Sequence, residues 1–229
     1  MRCDVVTLFP GMFTSPLGDS LFKRAVDAGR ISVHFHNPRD VTTDRHRTVD
    51  DAPYGGGPGM VMMVEPLVTT IESIPTVGKK CVVLLSPAGE RMTQSVVRDL
   101  AGFDQLVLVC GRYEGIDERV RELVVDRELS VGDFVVSGGE LPAMMVMDAV
   151  MRVIPGTLGN ELSAASESFE GGLLEYPQYT RPVEFRGKRV PDILLSGHHA
   201  DIDRWRKDQA LERTTTRRPD LIDKTSRTR

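Results

Sequence analysis

At 229 residues the chain has length for one good-sized domain with a real core, or for one domain and a small appendage. Hydrophobic residues make up 40% and charged residues 27%, and no apolar run nears the ~18 residues of a membrane span, so the composition reads as soluble, globular and without a membrane segment. The net charge of −4 argues against a generic nucleic-acid binder but hides an asymmetry: Arg181–Arg229 carries 13 Lys+Arg against 8 Asp+Glu, and the rest carries 16 against 25. An acidic body with a basic tail points to a polyanionic partner, although a solvated tail kept for solubility gives the same count.

The N-terminus, M-R-C-D-V-V-T-L-F-P-G, lacks the order of a signal peptide. Cys3, Cys81 and Cys110 have no C-x-x-C spacing and read as reduced, strand-borne thiols, which predicts a cytoplasmic protein. Short Val- and Leu-rich runs at Cys3–Phe9, Ile31–Phe35, Cys81–Ser86 and Gln105–Cys110 look like strands buried on both faces, as in a parallel sheet. Helical patterns lie between and after them, at Pro16–Ala28, Pro66–Ser73, Thr93–Ala101 and Asp117–Val125. That alternation predicts an α/β domain over residues 1–159, with helices covering a mainly parallel sheet. Leu141–Ile154 is a further helix, Met-rich and broadly apolar. From Asn160 the texture turns small, polar and acidic, which predicts a linker over 160–175, and residues 176–229 then form a small, mostly helical basic domain.

The run Y-G-G-G-P-G-M, Tyr54–Met60, holds four glycines in seven residues, yet no lysine and hydroxyl residue follow as a Walker A loop requires. A G-x-G-x-x-G in a βαβ setting and a G-x-S-x-G are absent. The five histidines lack zinc-like partners, so no metal ligand is assigned. Three Gly-bearing turns remain, each at the end of an apolar run: L-L-S-P-A-G-E (Leu84–Glu90), V-C-G-R-Y-E-G-I-D-E-R (Val109–Arg119) and S-V-G-D-F-V-V-S-G-G-E-L-P-A-M (Ser130–Met144). In open α/β sheets ligands bind beyond the carboxyl ends of strands, and such loops expose backbone donors and acceptors that suit a purine edge. Each turn taken singly is also plain punctuation.

These three turns occur in order with Y-G-G-G-P-G-M, R-V-I-P-G-T-L-G, Y-P-Q-Y-T-R-P and L-L-S-G-H-H-A-D-I-D-R-W-R. The ordered set closely resembles the bacterial tRNA (guanine-N1)-methyltransferases of the SPOUT superfamily, from the first strand to about Arg218. The resemblance implies a deep trefoil knot, a rarity that no pattern rule would suggest. It implies a homodimer whose active site is shared between subunits, and bent S-adenosylmethionine held in the knot loops. The reaction it implies is methylation of N1 of guanosine 37 in tRNA, just 3′ of the anticodon, with a dependence on magnesium whose site is unassigned. Carried over by motif, the cofactor residues are Leu85, Ser86 and Pro87; Gly111, Tyr113, Glu114 and Gly115; and Val131, Gly132, Phe134, Val136, Ser137, Gly138, Gly139 and Pro142.

Guanine N1 carries a proton at neutral pH, so the chemistry needs a positioned base and a cation or N–H donor facing the charge that develops toward O6. The resemblance places the cation at Arg152, in R-V-I-P-G, and the base at Glu167, in S-E-S-F, where family members usually carry aspartate. Glutamate has a similar intrinsic acidity but one more methylene. Glu170 is the alternative base, and Glu114 is either a structural acid of its turn or a contact for the methionine amino group or magnesium. Asp50, Tyr54, Gly57 and Ser168 are placed beside the target guanosine. Arg181, Arg186, Lys188, Arg189, His198, Arg206, Arg217 and Arg218 are placed on the anticodon stem-loop of the tRNA. Trp205 is either a core anchor of the tail or a base platform.

Overall fold

The computed structural model describes residues 1–158 and 167–226, so the first part of the stretch expected as a linker lies outside the described residues. Two compact units are present, Met1–Gly159 and Asn160–Arg229, and each is described by itself.

The first unit opens with β1 (Arg2–Val6), followed by α1 (Thr14–Leu17) and α2 (Ser20–Asp27). One helix was expected over Pro16–Ala28, and two form instead. At Gly18 a side chain would meet Thr14 O at 2.8 Å, and Asp19 restarts the chain as an N-cap, its carboxylate accepting from Ser20 N at 2.7 Å. Then come β2 (Ser32–His36), the short antiparallel pair β3 (Asp50–Asp51) and β4 (Val61–Met62), and α3 (Val64–Ser73). The remainder is β5 (Lys80–Arg91), α4 (Gln94–Leu100), β6 (Gln105–Cys110), α5 (Glu118–Val124), β7 (Arg127–Ser130) and α6 (Glu140–Val153).

Five strands form one parallel sheet in the order β2-β1-β6-β5-β7. The strand period of two divides its side chains between two cores. Leu106, Leu108 and Cys110 of β6 face Phe22 of α2, Leu100 of α4 and Met147 of α6, whereas Val107 and Val109 face Leu67 and Ile71 of α3 and Val120 of α5. The expected α/β architecture with helices on both faces is therefore present. All three cysteines are buried and free, and burial pushes the Cys3 thiol up to about 12 and the Cys81 thiol to about 11.

One carboxylate is buried in the sheet. Burial alone would raise the pKa of Asp4, but hydrogen bonds from Arg2, Gln105 and His36 overcome it and hold the group below its ordinary value. The contacts are Arg2 Nε at 2.8 Å, Gln105 Nε2 at 2.7 Å and His36 Nε2 at 2.7 Å. They tie β1 to both of its neighbours, β2 and β6.

The second unit carries the hairpin β8 (Glu184–Phe185) and β9 (Lys188–Arg189), then α7 (His199–Arg217) and α8 (Pro219–Ser226). No helix among the described residues is long and apolar enough to cross a membrane.

Candidate active site

A cavity of about 370 Å³ opens beyond the carboxyl ends of β5, β6 and β7. All fifteen residues carried over to the cofactor by motif line it, from Leu85 to Pro142. The position and size suit a small-molecule site in an open α/β sheet.

Each wall has a local cause. After Leu85 the pairing of β5 with β7 breaks and resumes at Glu90, so both Leu85 and Glu90 oppose Leu129. The intervening S-P-A-G is thrown out as a bulge toward the cavity. Gly89 closes this bulge directly against β7, where a Cβ would collide with Leu129 N and the Glu128 carbonyl. Only glycine fits there. The second wall, Gly111–Ile116, is seamed to the glycine-rich run: Glu114 N donates to Met60 O at 3.0 Å, and Met62 N donates to Gly115 O at 3.0 Å. Gly59, at φ +78°, lies against the Glu114 side chain, where a Cβ would overlap the carboxylate. The third wall, Val131–Gly139, leads into α6, and Gly139 N donates to Gly111 O at 2.9 Å.

The residues that lock the second and third walls together were not singled out in the sequence. Glu140, fully buried at the start of α6, accepts from Thr7 Oγ1 at 2.8 Å and pairs with the Arg112 guanidinium at 2.8 Å. Arg112 also donates to Ser137 O at 3.0 Å and to Met12 Sδ at 3.1 Å, and lies 4.6 Å over the Phe9 ring. The only sequence signal was a charged residue inside each glycine turn, R in C-G-R-Y and E in S-G-G-E. Burial pushes the pKa of the nearby Cys110 thiol well up, and the Glu140 charge adds to this, so it offers no thiolate nucleophile.

Of the residues placed beside the target base, Asp50 is close enough to Tyr113, in the second wall, for its charge to act on that phenol. Tyr113 adopts φ 61°, and burial, then the nearby Asp50 carboxylate, push the pKa of its phenol up. Tyr54 is fully exposed, and Gly57 is exposed with φ +132°. Arg152 is half-buried in the last turn of α6 and is not among the cavity-lining residues. Pro142 lies in the first turn, ten residues earlier, about 15 Å away along the helix axis.

In the second unit, Glu167 and Ser168 open a turn that folds back on α7. Ser168 Oγ accepts from Glu175 N at 3.0 Å, and Glu167 O accepts from Glu170 N at 3.2 Å. Leu174 N donates to the buried hydroxyl of Thr214, which itself donates to Ala210 O at 2.6 Å. Arg206 stacks 5.0 Å from the Tyr176 ring centroid, and Trp205 packs against Tyr179 at 6.4 Å. Both side chains are thus partly spent on holding 167–180 to the helix. Arg181 and His198 are exposed. No group of three or more His, Cys, Asp or Glu side chains that could hold a metal stands together among the described residues.

Residues 1–224 match the family model described as tRNA (Guanine-1)-methyltransferase TrmD. A relative from Geobacter sulfurreducens named tRNA (guanine-N(1)-)-methyltransferase is 58% identical over 98% of this chain and 92% of its own length. Relatives of the same name from Gloeobacter violaceus and Chloroflexus aggregans are 55% and 57% identical over 97% of this chain, covering 98% and 88% of their own.

Proposed function

This chain belongs to the tRNA (guanine-1)-methyltransferase family, TrmD, and from that membership we propose that it methylates N1 of guanosine 37 in tRNA with S-adenosylmethionine as donor. The observation that carries the proposal is the cavity at the strand ends, walled by three glycine turns and lined by every residue that motif matching assigns to the donor.

The donor set fits that molecule. The cavity volume is in the range of small-ligand sites, and its apolar walls include Phe134, exposed with no core to fill, as well as Val136 and Pro142. Backbone of Gly111 and Gly138 borders the cavity where a purine edge would be met, and Glu114 supplies negative charge for a cationic amino acid. When bound, S-adenosylmethionine supplies a methyl group on a sulfonium, electrophilic enough for direct attack. The protein's work is then on the nucleophile. Glu167 takes the N1 proton of guanine, a contribution on the order of 10²–10⁴-fold. The Arg152 guanidinium faces the negative charge that moves toward O6. Asp50, Tyr54, Gly57 and Ser168 bound the base, and Arg181, His198 and Arg206 meet the tRNA.

The resemblance brings the base, Glu167, from the partner subunit, so the proposal includes a homodimer whose active site is shared. Leu141 and Met145, one turn apart on the outer face of α6, are about half exposed, and Phe9 and Met12 add to this apolar surface. A trefoil knot formed by the loops between β5 and α6 belongs to the same proposal, as do the domain limits 1–159, 160–175 and 176–229 and a cytoplasmic site of action. Magnesium is assigned to no residue.

The test is methyl transfer to tRNA transcripts bearing G or A at the position 3′ of the anticodon. Transfer to the G transcript alone is expected, and Glu167→Gln is expected to abolish turnover while calorimetry shows donor binding intact. No donor binding at millimolar concentration would sink the proposal; near-normal turnover of Glu167→Gln would move the base elsewhere.

A further inference from the structure

One element of the second unit is built against no core. All four residues of the hairpin β8–β9 are exposed, and so is every residue from Arg181 to Arg189. A two-stranded hairpin of this kind gains little stability by itself. Its turn, Arg186-Gly187, has φ of 52° and 74° at the two central positions, the two-residue turn whose twist suits a hairpin. Glycine or asparagine is the low-strain choice at the first of these, yet an arginine stands there in the left-handed region.

That conformation has a consequence for the neighbouring side chain. The Arg186 guanidinium lies 5.1 Å from the ring centroid of Phe185, a residue that is 62% exposed and forgoes burial. Lys188 sits opposite Phe185 across the ladder. Between Arg181 and Arg189 four cations stand against the single carboxylate of Glu184, and Arg189 is tied to Asp192 at 3.3 Å.

We propose that the hairpin tip is a stacking platform for an unpaired base of the tRNA, with Phe185 against the base and Arg186 and Lys188 on the adjoining phosphates. This rests on the tRNA reading above and adds to it a contact residue. An exposed ring flanked by cations is the combination that binds single-stranded nucleic acid, because every base has a face to stack and every linkage a charge. A lipid surface would require a broad apolar face, and the hairpin offers one ring.

The test uses the full chain and a fluorescently labelled tRNA transcript, with donor binding measured alongside by calorimetry. Phe185→Ala and Phe185→Leu are expected to weaken tRNA binding about 5- to 100-fold, and Phe185→Tyr to stay within about twofold of the parent. Lys188→Ala is expected to lower the slope of log affinity against log salt by about one. Because Phe185 is exposed, the thermal midpoint and donor affinity stay unchanged in all of these variants. Parent-like tRNA affinity in Phe185→Ala would overturn the platform, as would full affinity in Phe185→Leu, which keeps bulk but not the ring. Loss of binding to anionic phospholipid vesicles in Phe185→Ala, with tRNA affinity retained, would overturn it in favour of a lipid contact. A parent protein that binds the donor but neither binds nor methylates tRNA would instead refute the proposed function, a separate outcome.

Discussion

Arg112→Met removes the cation from the clamp while keeping most of its stem. Glu140 is fully buried and would then be left with a single hydrogen bond, from Thr7 at 2.8 Å. Breaking a buried ion pair from one side costs about 3–5 kcal/mol, because the remaining charge is uncompensated. Against a total stability of about 5–15 kcal/mol for a domain, the variant should still fold but unfold at clearly lower urea. A second loss is independent of the first. The charge-assisted bond from Arg112 to Ser137 O holds the second and third walls at their spacing, and such bonds contribute about 1.5–3 kcal/mol. Without it the ordering cost falls on ligand binding, so donor affinity should drop about 10- to 100-fold.

The double variant Arg112→Met/Glu140→Gln separates the two effects. Glutamine can still accept from Thr7 but buries no charge, so stability should return to within about 2 kcal/mol of the parent. Affinity should not return, because the bridge to Ser137 is still missing. Urea unfolding and calorimetric titration with S-adenosylmethionine measure the two quantities. A single-variant cost below about 1 kcal/mol would refute the burial argument. Parent-like affinity in the double variant would show that the clamp does not set the spacing of the walls.

Gly89→Ala should prevent close pairing of β5 with β7 and abolish donor binding, whereas Gly11→Ala, with nothing within 4 Å of the new atom, should be near neutral; thermal melts of the pair decide it. Thr214→Val removes the acceptor of Leu174 N at a buried site, a loss of about 1–3 kcal/mol, and hydrogen exchange at the Leu174 amide should speed up while donor binding is unchanged. It should also lower turnover, since the Glu167–Leu174 turn is held to α7 by that bond; unchanged exchange would refute the pin. Asp4→Asn should cost about 1–3 kcal/mol at neutral pH by leaving Arg2 and His36 without their anion. The folded-state pKa of Asp4 lies below its unfolded value near 3.8, so its contribution is present above that pH and disappears as pH falls through the folded value. The gap between parent and Asp4→Asn in urea unfolding should therefore close below about pH 3.8, and a gap independent of pH would refute the ionic account.

How much of this was legible depended on how each residue is buried. β6 is buried at all six positions, so Q-L-V-L-V-C announced a two-faced strand and its limits were read without error. β7 is an edge strand of four residues, R-E-L-S, with Leu129 and Ser130 alone buried, and nothing in its composition separates it from a loop. The three turns that wall the cavity were legible because close approach and tight turns demand glycine, and glycine is visible in sequence; the individual lining residues were named only through the family resemblance. The clamp was not, because Thr7 and Glu140 are 133 positions apart and a buried carboxylate looks in sequence like any surface acid.

The run Y-G-G-G-P-G-M shows the same limit within seven residues. Four glycines within seven residues suggest a single role for the whole run. The structure divides them. Gly59 is committed internally, with a Cβ excluded by Glu114 and flanking backbone bonds from Glu114 to Met60 and from Met62 to Gly115. Gly55, Gly56 and Gly57 have positive φ with no close neighbour, beside a fully exposed Tyr54. One end of the run is therefore a seam that makes the second wall of the cavity and the run a single body, and the other is open surface. Through that seam, whatever settles on Tyr54–Gly57 bears directly on the second wall of the cavity. Under the proposed function, a base held on Tyr54–Gly57 would stand in one frame with the methyl donor, and such orientation is itself a large part of a transfer rate.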